Sequence, residues 1–242
     1  MKKLLNITCI LLWVWHGASS QNVDSLKHVL KKLPPLNIAD VNDTVRCNAL
    51  VPLAVYSDDT STLVYINLLM DLSEYRIKQV PVGSTLYKKY QSYLSHCYNE
   101  LVVMYRELSN VKKSLEYSNK YLSINEARGD TVMLGIGYNN LAILYYDIGD
   151  IDKALDYFLK SLSCLEQRAS NEEIAQALNN IGYLYKLKKK ADESMRCYLR
   201  SLSLSHEIND RKGIAESWNS IGLVQAMLMR YDSALTCYSR AL

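Results

Sequence analysis

In the second half of this sequence, hydrophobic and polar positions recur in the pattern that is typical of paired amphipathic helices. One stretch carries apolar residues at spacings of three and four, as one helix face does: Leu134, Tyr138, Leu141, Tyr145 and Ile148. Gly149-Asp150 then interrupts the pattern, as a helix end and a turn do. A second apolar face follows, with Ala154, Leu155, Phe158, Ser161, Leu162 and Leu165. The pattern predicts two helices joined by a short turn.

The same helix pair recurs every 40 residues. Segments that begin at Asn139, Asn179 and Asn219 align without gaps, and a weaker copy begins at Asn99. Asn171 is the expected N-cap of the helix that leads into the third copy, with Ile174 beginning its apolar face. Because each hairpin is apolar on two sides, it must stack on its neighbours to bury both. The sequence therefore predicts an all-α solenoid of stacked antiparallel helix hairpins.

The aligned columns resemble the tetratricopeptide repeat. That pattern places a large apolar residue, a small one and Tyr on the first helix, and a small residue, an aromatic and another small one on the second. The matching residues are Leu141, Ala142, Tyr145, Ala154, Phe158 and Ser161, then Ile181, Gly182, Tyr185, Ser194, Tyr198 and Ser201. The period of 40 instead of 34 residues is similar to that of a long-repeat subgroup found in bacterial peptide-sensing regulators and in kinesin light chain. The resemblance implies a right-handed α-solenoid that binds a protein or peptide segment in its concave groove.

The sequence before the repeats divides into a leader and a cap. Lys2-Lys3, an apolar run from Leu4 to Trp15 and the small residues that follow predict a secretory signal peptide over residues 1–20. The run is too short for a spanning helix, and residues 21–242 contain no other candidate. Residues 21–98 are expected to form an irregular helical cap, in which 43–56 and 60–79 could be a degenerate first repeat. The array then covers 99–242, with copies at 99–138, 139–178, 179–218 and a truncated 219–242.

The leader predicts export to the periplasm or cell envelope, and this makes the cysteines informative. Without Cys9 five remain, which is an odd number without CxxC spacing, so buried single thiols are expected, Cys197 and Cys237 among them. Leu242 falls within the second helix of its repeat. The apolar face left uncovered there indicates a longer protein or self-association through the last repeat.

Asparagine recurs at one position of every copy, at Asn99, Asn139, Asn179 and Asn219. Asparagine is a mediocre helix former, so its recurrence indicates a role. In the resembled subgroup such side chains hydrogen-bond the backbone of a bound peptide, for which an amide offers both a donor and an acceptor. The alternative is that these amides bridge neighbouring helices. Tyr146, Tyr183 and Lys186 follow on the same helices and are candidates to complete the groove.

Composition and motifs exclude several other functions. With 28 Lys and Arg against 25 Asp and Glu, the net charge of +3 gives no basic field that would favour nucleic acid as a partner. The sequence contains none of the common nucleotide-binding, metalloprotease or hydrolase motifs. We therefore expect no catalytic residue, no metal site and no cofactor.

Two functions remain. The first is a non-catalytic binding module that forms the periplasmic sensing part of a larger bacterial signal-transduction protein, as in the repeat-containing sensor kinases and regulators that this sequence resembles. The second is a stand-alone exported adaptor for the assembly of protein complexes.

Overall fold

The computed structural model describes residues 27–28, 42–56, 62–167 and 170–242. Within these ranges it contains ten α-helices and no strand. They are α1 (Asn42–Tyr56), α2 (Thr62–Ile77), α3 (Thr85–Glu107), α4 (Val111–Arg128), α5 (Thr131–Asp147), α6 (Ile151–Leu165), α7 (Asn171–Leu187), α8 (Ala191–Glu207), α9 (Arg211–Met227) and α10 (Tyr231–Ala241). The predicted all-α solenoid class is confirmed, whereas the predicted leader over residues 1–20 lies outside the described residues.

The chain divides into two compact units, Met1–Ile124 and Asn125–Leu242. In the second unit the helices pair as α5–α6, α7–α8 and α9–α10. Consecutive pairs also touch, because α6 contacts α7 and α8 contacts α9, and the first helices α7 and α9 contact each other. The second unit is therefore a stack of three hairpins in sequence order.

In the four hairpins from α3–α4 to α9–α10, the turn has a left-handed residue at the same position after the first helix. At Gly149 φ is +84°, and the N–H groups of Gly149 and Asp150 donate to the carbonyls of Tyr146 and Tyr145 at 2.9 Å. These two bonds form the Schellman motif, which satisfies carbonyls that the helix end leaves open. The equivalent residues Ser109, Lys189 and Met229 have φ of 55°, 58° and 59°. The turn predicted at Gly149-Asp150 is confirmed.

The start of α7 differs from the prediction. Asn171 is the first helical residue, and the N-cap is Ser170. Ser170 Oγ accepts from the backbone N–H of Glu173 at 3.4 Å, while Glu173 Oε2 accepts from the N–H of Ser170 at 2.9 Å. This reciprocal pair is a capping box. Asn171 could not form one, because Ile174 stands three residues further on.

The small residues of the repeat mark places where two helices approach closely. A Cβ added at Gly182 would lie 2.8 Å from Tyr198 Cε1, and one at Gly222 would lie 2.5 Å from Tyr238 Cε1. Ser194 Oγ donates to the carbonyl of Gly182 at 2.7 Å, so the serine is satisfied where it is fully buried. A larger side chain at the position of Gly182 or at that of Ser194 would force the two helices of the hairpin apart.

The first unit is the irregular part of the chain. Helices α1 and α2 lie on the residues that were expected to form a degenerate first repeat. Helix α3 is continuous from Thr85 to Glu107, so the predicted boundary between residues 98 and 99 falls inside it. The apolar cluster of this unit includes Cys47, Ile66, Leu69, Cys97 and Leu101.

Other observations concern membranes, metals and thiols. Among the residues that the structure describes, no helix is long and apolar enough to cross a membrane. The same residues contain no group of three or more His, Cys, Asp or Glu that could hold a metal ion.

Cys197 packs against the cluster around Phe158, and Cys237 belongs to the cluster around Val224. Both are single thiols, as predicted.

Candidate functional site

Two side-chain bridges link α5 to α7 in the second unit. Asn180 Nδ2 donates to Asn139 Oδ1 at 3.4 Å, and the hydroxyls of Tyr146 and Tyr183 share a hydrogen bond of 3.1 Å. Residues 139 and 146 are two turns apart on α5, or about 10 Å at 1.5 Å per residue. The two bridges and the residues beside them on α5 and α7 include most of the predicted groove residues. We call this region the α5–α7 surface, with Asn139, Tyr146, Asn179, Asn180, Tyr183 and Lys186 as its members.

The four predicted asparagines do not share one environment. Asn99 lies on α3 in the first unit, where its Nδ2 donates to Glu100 Oε1 at 3.3 Å. Asn139 bridges to the neighbouring helix, as the alternative interpretation expects. Asn219 is exposed on α9. Asn179 is the exception, because its Oδ1 is buried and has no hydrogen-bond partner among the described residues.

The orphaned oxygen of Asn179 is unfavourable unless something donates to it. A buried acceptor without a partner costs about 1–3 kcal/mol, and such groups are uncommon in folded proteins. The neighbouring Tyr183 is 37% exposed, so the surface beside Asn179 is open to a ligand. Because the oxygen atom itself is buried, a donor from outside would reach it only if the Asn179 side chain turned towards that surface.

The three other predicted residues lie together. The rings of Tyr146 and Tyr183 meet edge to face, with centroids 5.8 Å apart and planes at 71°. Lys186 Nζ lies over the Tyr183 ring, 4.8 Å from its centroid, in a cation–π contact. The hydrogen bond with Tyr183 raises the pKa of Tyr146, because it favours the neutral phenol. The Tyr146 hydroxyl therefore keeps its proton at neutral pH.

The sequence prediction missed two features of this region. The first is Asn180, the donor to Asn139, although a polar column at Asn140, Asn180 and Ser220 was a signal for it. The second is a set of exposed apolar side chains towards the ends of α7 and α9: Leu187 (45% exposed), Leu223 (40%) and Met227 (38%). Leu223 and Met227 stand in α9 where Tyr183 and Leu187 stand in α7, so the apolar face recurs with the repeat. Apolar residues exposed in a group mark binding surfaces more often than singly exposed ones do.

Comparison with known proteins agrees with this architecture. The family model described as Tetratricopeptide repeat matches residues 94–167 and 173–242. A search of curated proteins gives no match to the sequence.

Several solved structures resemble the chain. BtubC (BKLC) from P. vanneervenii is 18% identical, with a TM-score of 0.59 over 83% of this chain and 87% of that one. The apo form of RapI is 17% identical, with a TM-score of 0.62 over 97% of this chain and 75% of that one. A Signal Transduction ATPase with Numerous Domains from Pyrococcus horikoshii, described as having a tetratricopeptide repeat sensor, is 17% identical. Its TM-score is 0.57 over 92% of this chain and 40% of that one. At these identities the similarity shows the fold alone.

Proposed function

This chain belongs to the tetratricopeptide repeat family, and we propose that it is a non-catalytic module that binds an extended peptide segment along the α5–α7 surface. The fold itself indicates protein–protein interaction or scaffolding. The observation that carries the finer proposal is Asn179 Oδ1, which is buried without a partner in the described part of the chain and lies one helical turn from the exposed ring of Tyr183. An extended peptide presents backbone N–H and C=O groups along its whole length. It can therefore donate to Asn179 while its side chains contact the apolar residues nearby.

Substitution of Asn179 by Ala tests this proposal. The purified 242-residue chain is used to capture peptides from a pool of random nonapeptides, and individual captured peptides are then titrated against the variants. We expect Asn179→Ala to weaken their binding about tenfold, because it removes one buried hydrogen bond to the ligand. The melting temperature of the free chain should not fall, because Asn179→Ala removes an oxygen that is buried without a partner among the described residues.

Two variants control for this result. Asn119→Ala removes an exposed asparagine of α4 and should change neither property. Asn139→Ala breaks the bridge to Asn180 and should lower the melting temperature as well as the affinity. A large loss of melting temperature in Asn179→Ala with unchanged peptide affinity would show that the amides are structural and would overturn the proposal.

We also propose that the chain is exported and forms the sensing part of a larger bacterial signal-transduction protein. The basic pair, apolar run and small residues of the first 20 positions support export. The P. horikoshii protein supports sensing by analogy, since it is described as carrying such repeats as a sensor. The second candidate is a stand-alone exported adaptor.

Two experiments test this wider proposal. Residues 1–30 fused to alkaline phosphatase, which is active only outside the cytoplasm, should give phosphatase activity. An inactive fusion that remains in the cytoplasm would contradict export. The reading frame after the codon for Leu242 separates the candidates. A spanning helix and an output module there would support the sensor, and an early stop codon would support the adaptor.

Helix α10 suggests a second binding surface. Tyr231 and Leu235 are 63% and 66% exposed, whereas their equivalents Ile151 and Leu155 pack in an apolar cluster. We propose that this face mediates self-association, which sedimentation velocity can measure. Leu235→Lys should shift the chain towards monomer if the face is used, and a wild-type chain that is monomeric at high concentration would overturn this proposal.

A further inference from the structure

The turn between α2 and α3 in the first unit carries an apolar side chain at its corner. The N–H of Ser84 donates to the carbonyl of Pro81 at 3.1 Å, which closes a β-turn with Val82 and Gly83 in the middle. Gly83 has a φ of +80°, as the third residue of a type II turn requires. Val82 therefore occupies the corner before it, where its side chain is 85% exposed.

Contacts within the first unit fix the chain on both sides of this turn. Before it, the N–H of Gln79 donates to the carbonyl of Arg76 at 3.0 Å, and Val80 packs against the apolar cluster of the unit. After it, Ser84 caps α3, because its Oγ accepts from the N–H of Tyr87 at 3.1 Å. The fold thus holds the position of Val82 without using its side chain.

Val82 is one of three exposed apolar residues at this end of the helix pair. Tyr75 lies in the last turn of α2 and is 57% exposed, and Leu86 lies in the first turn of α3 and is 47% exposed. The two helices pack against each other and are joined by the turn, so all three residues belong to the same end. Apolar residues that are exposed as a group mark interaction surfaces more often than single ones do.

The charge in this part of the sequence has one sign. Residues 75–99 contain no Asp or Glu, whereas they contain four cationic side chains: Arg76, Lys78, Lys88 and Lys89. Lys78 and Lys89 are exposed. Acids are favoured in the first turn of a helix, and α7 has Glu172 and Glu173 there, but α3 has none. The exposed apolar residues are therefore accompanied by positive charge alone along this segment.

We propose that this end of the helix pair binds the surface of an anionic lipid bilayer. We call it the α2–α3 tip, with Tyr75, Lys78, Val82, Leu86 and Lys89 as its members. Val82 enters the boundary between headgroups and acyl chains, where the ring of Tyr75 is also favoured. Lys78 and Lys89 are attracted to the anionic headgroups.

A bilayer fits the α2–α3 tip better than an acidic protein does. Val82 projects from the corner of a turn, and a protein partner would need a pocket that matches it, whereas lipid headgroups move aside for a projecting side chain. The inference is independent of peptide binding, because the tip belongs to the first unit and the α5–α7 surface belongs to the second.

The experiment places a fluorescent probe at the corner of the turn. Val82→Trp is introduced into the 242-residue chain, and tryptophan emission is recorded with vesicles whose acyl chains are brominated, so that they quench a tryptophan that enters them. The vesicles contain phosphatidylcholine alone or an equal mixture with phosphatidylglycerol, which is anionic. Circular dichroism should show an unchanged fold, because Val82 is exposed.

Leu108→Trp is the matched control. Leu108 is 67% exposed at the other end of α3, but it stands beside Glu107. The first 20 residues and the other tryptophans are the same in both chains, so the difference between the two spectra reports the substituted position. The control also accounts for the preference of tryptophan itself for lipid interfaces.

The anionic vesicles should quench the emission of Val82→Trp and shift it to shorter wavelength, with little effect on Leu108→Trp. Lys78→Gln or Lys89→Gln, each added to Val82→Trp, should raise the lipid concentration at half-maximal quenching about fivefold, as the loss of one lysine near an anionic surface predicts. Lys112→Gln, an exposed change near the control position, should leave that concentration as it is.

Three results would overturn the inference. Equal quenching of Val82→Trp by neutral and anionic vesicles would show that the lysines do not select the surface. Equal quenching of Val82→Trp and Leu108→Trp would show that adsorption does not use the α2–α3 tip. An unchanged Val82→Trp spectrum with both vesicles would exclude a bilayer and leave an acidic protein surface as the alternative occupant.

Discussion

The two units differ in the polar groups that they bury, although both contain a buried serine that donates to a backbone carbonyl of the neighbouring helix. In the second unit the fully buried polar groups include serines whose hydroxyls donate to backbone carbonyls of a neighbouring helix, such as Ser161 to Gly135 at 2.7 Å and Ser201 to Ala175 at 3.0 Å. These serines are 40 residues apart in the sequence. In the first unit the buried groups include Arg46 and Arg76, which have no equivalent in the repeat. A repeated interior can use the same small group at each level, whereas a unique interior needs partners for each charged group.

The largest expected effect comes from filling a close contact in the repeated interior. Gly182→Ala places a methyl group against Tyr198, which is 2% exposed and has little room to move. We expect it to lower the free energy of unfolding by about 2 kcal/mol, the middle of the range for an overpacked core. Urea unfolding followed by the fluorescence of Trp218 measures this in the second unit.

Gly222→Ala is the matched variant one repeat later. Its methyl group would meet the ring of Tyr238, which is only partly buried on α10 and can rotate outwards. Gly222→Ala should therefore lower the free energy of unfolding clearly less, although its Cβ would lie closer to the ring, at 2.5 Å against 2.8 Å for Gly182. Equal losses in the two variants would show that the freedom of the ring does not decide the cost.

The next expected effect is a loss of stability in the first unit at low pH. Burial lowers the pKa of His96, while the nearby Glu100 opposes this shift, and the Nε2 atom is buried without a partner among the described residues. Below the ordinary value of 6.5, the unfolded chain takes up a proton that the folded imidazole resists. The first unit should therefore lose stability as the pH falls from 7 to 5.

Hydrogen exchange of the α3 amides at the two pH values measures this loss, after correction for the intrinsic exchange rates. His96→Asn should make the stability of α3 less dependent on pH. His206→Asn, a change at an exposed position of α8, should leave the dependence as it is. An α3 that is equally protected at both pH values would contradict the assigned role of burial.

The repeated interior could be predicted from sequence because each position is sampled several times. The columns at Ala142 and Gly182, for instance, indicated the close helix contact that the structure shows at Tyr198. The first unit offered no such comparison. Nothing in the sequence indicates that Arg46 and Arg76 are buried, because their burial depends on contacts specific to this unit. The N-cap of α7 was also predicted wrongly. Ser170 and Asn171 are adjacent and both are of types that cap helices, so the sequence alone did not distinguish them.

A smaller effect, of about 1 kcal/mol, is expected at the left-handed turn residues that both units share. A residue with a Cβ pays roughly this much for positive φ, whereas glycine does not. Met229→Gly should therefore raise the free energy of unfolding of the second unit, and Gly149→Ala should lower it, since their φ values are 59° and 84°. Ser109→Gly should give the same gain in the first unit. A loss of stability in Met229→Gly would show that its side chain, although 77% exposed, contributes more than its backbone costs.

The candidate site was predictable as a set of positions but not as a set of contacts. The recurrence of asparagine every 40 residues led to Asn139 and Asn179, yet only the structure distinguishes the bridged amide of Asn139 from the amide of Asn179, whose oxygen has no partner among the described residues. The bridge joins residues 41 apart, and the tyrosine pair joins residues 37 apart. Neither separation equals the repeat period of 40 residues, because the residues that touch across two adjacent helices do not occupy equivalent positions in their repeats. A search for equivalent positions could not find these pairs.

The smallest expected effect concerns an ion pair that links two hairpins of the second unit. Arg200 Nη1 lies 2.6 Å from Glu166 Oε1, and both side chains are at least 40% exposed. Water and salt screen such a pair, so Arg200→Met should lower the free energy of unfolding by no more than about 0.5 kcal/mol, and the difference should vanish in 1 M salt. Lys120→Met removes a pair within a single helix of the first unit and should cost no more. A loss well above 1 kcal/mol that persists in high salt would mean that this pair fixes how the hairpins stack, a role that the structure otherwise assigns to the glycine and serine columns.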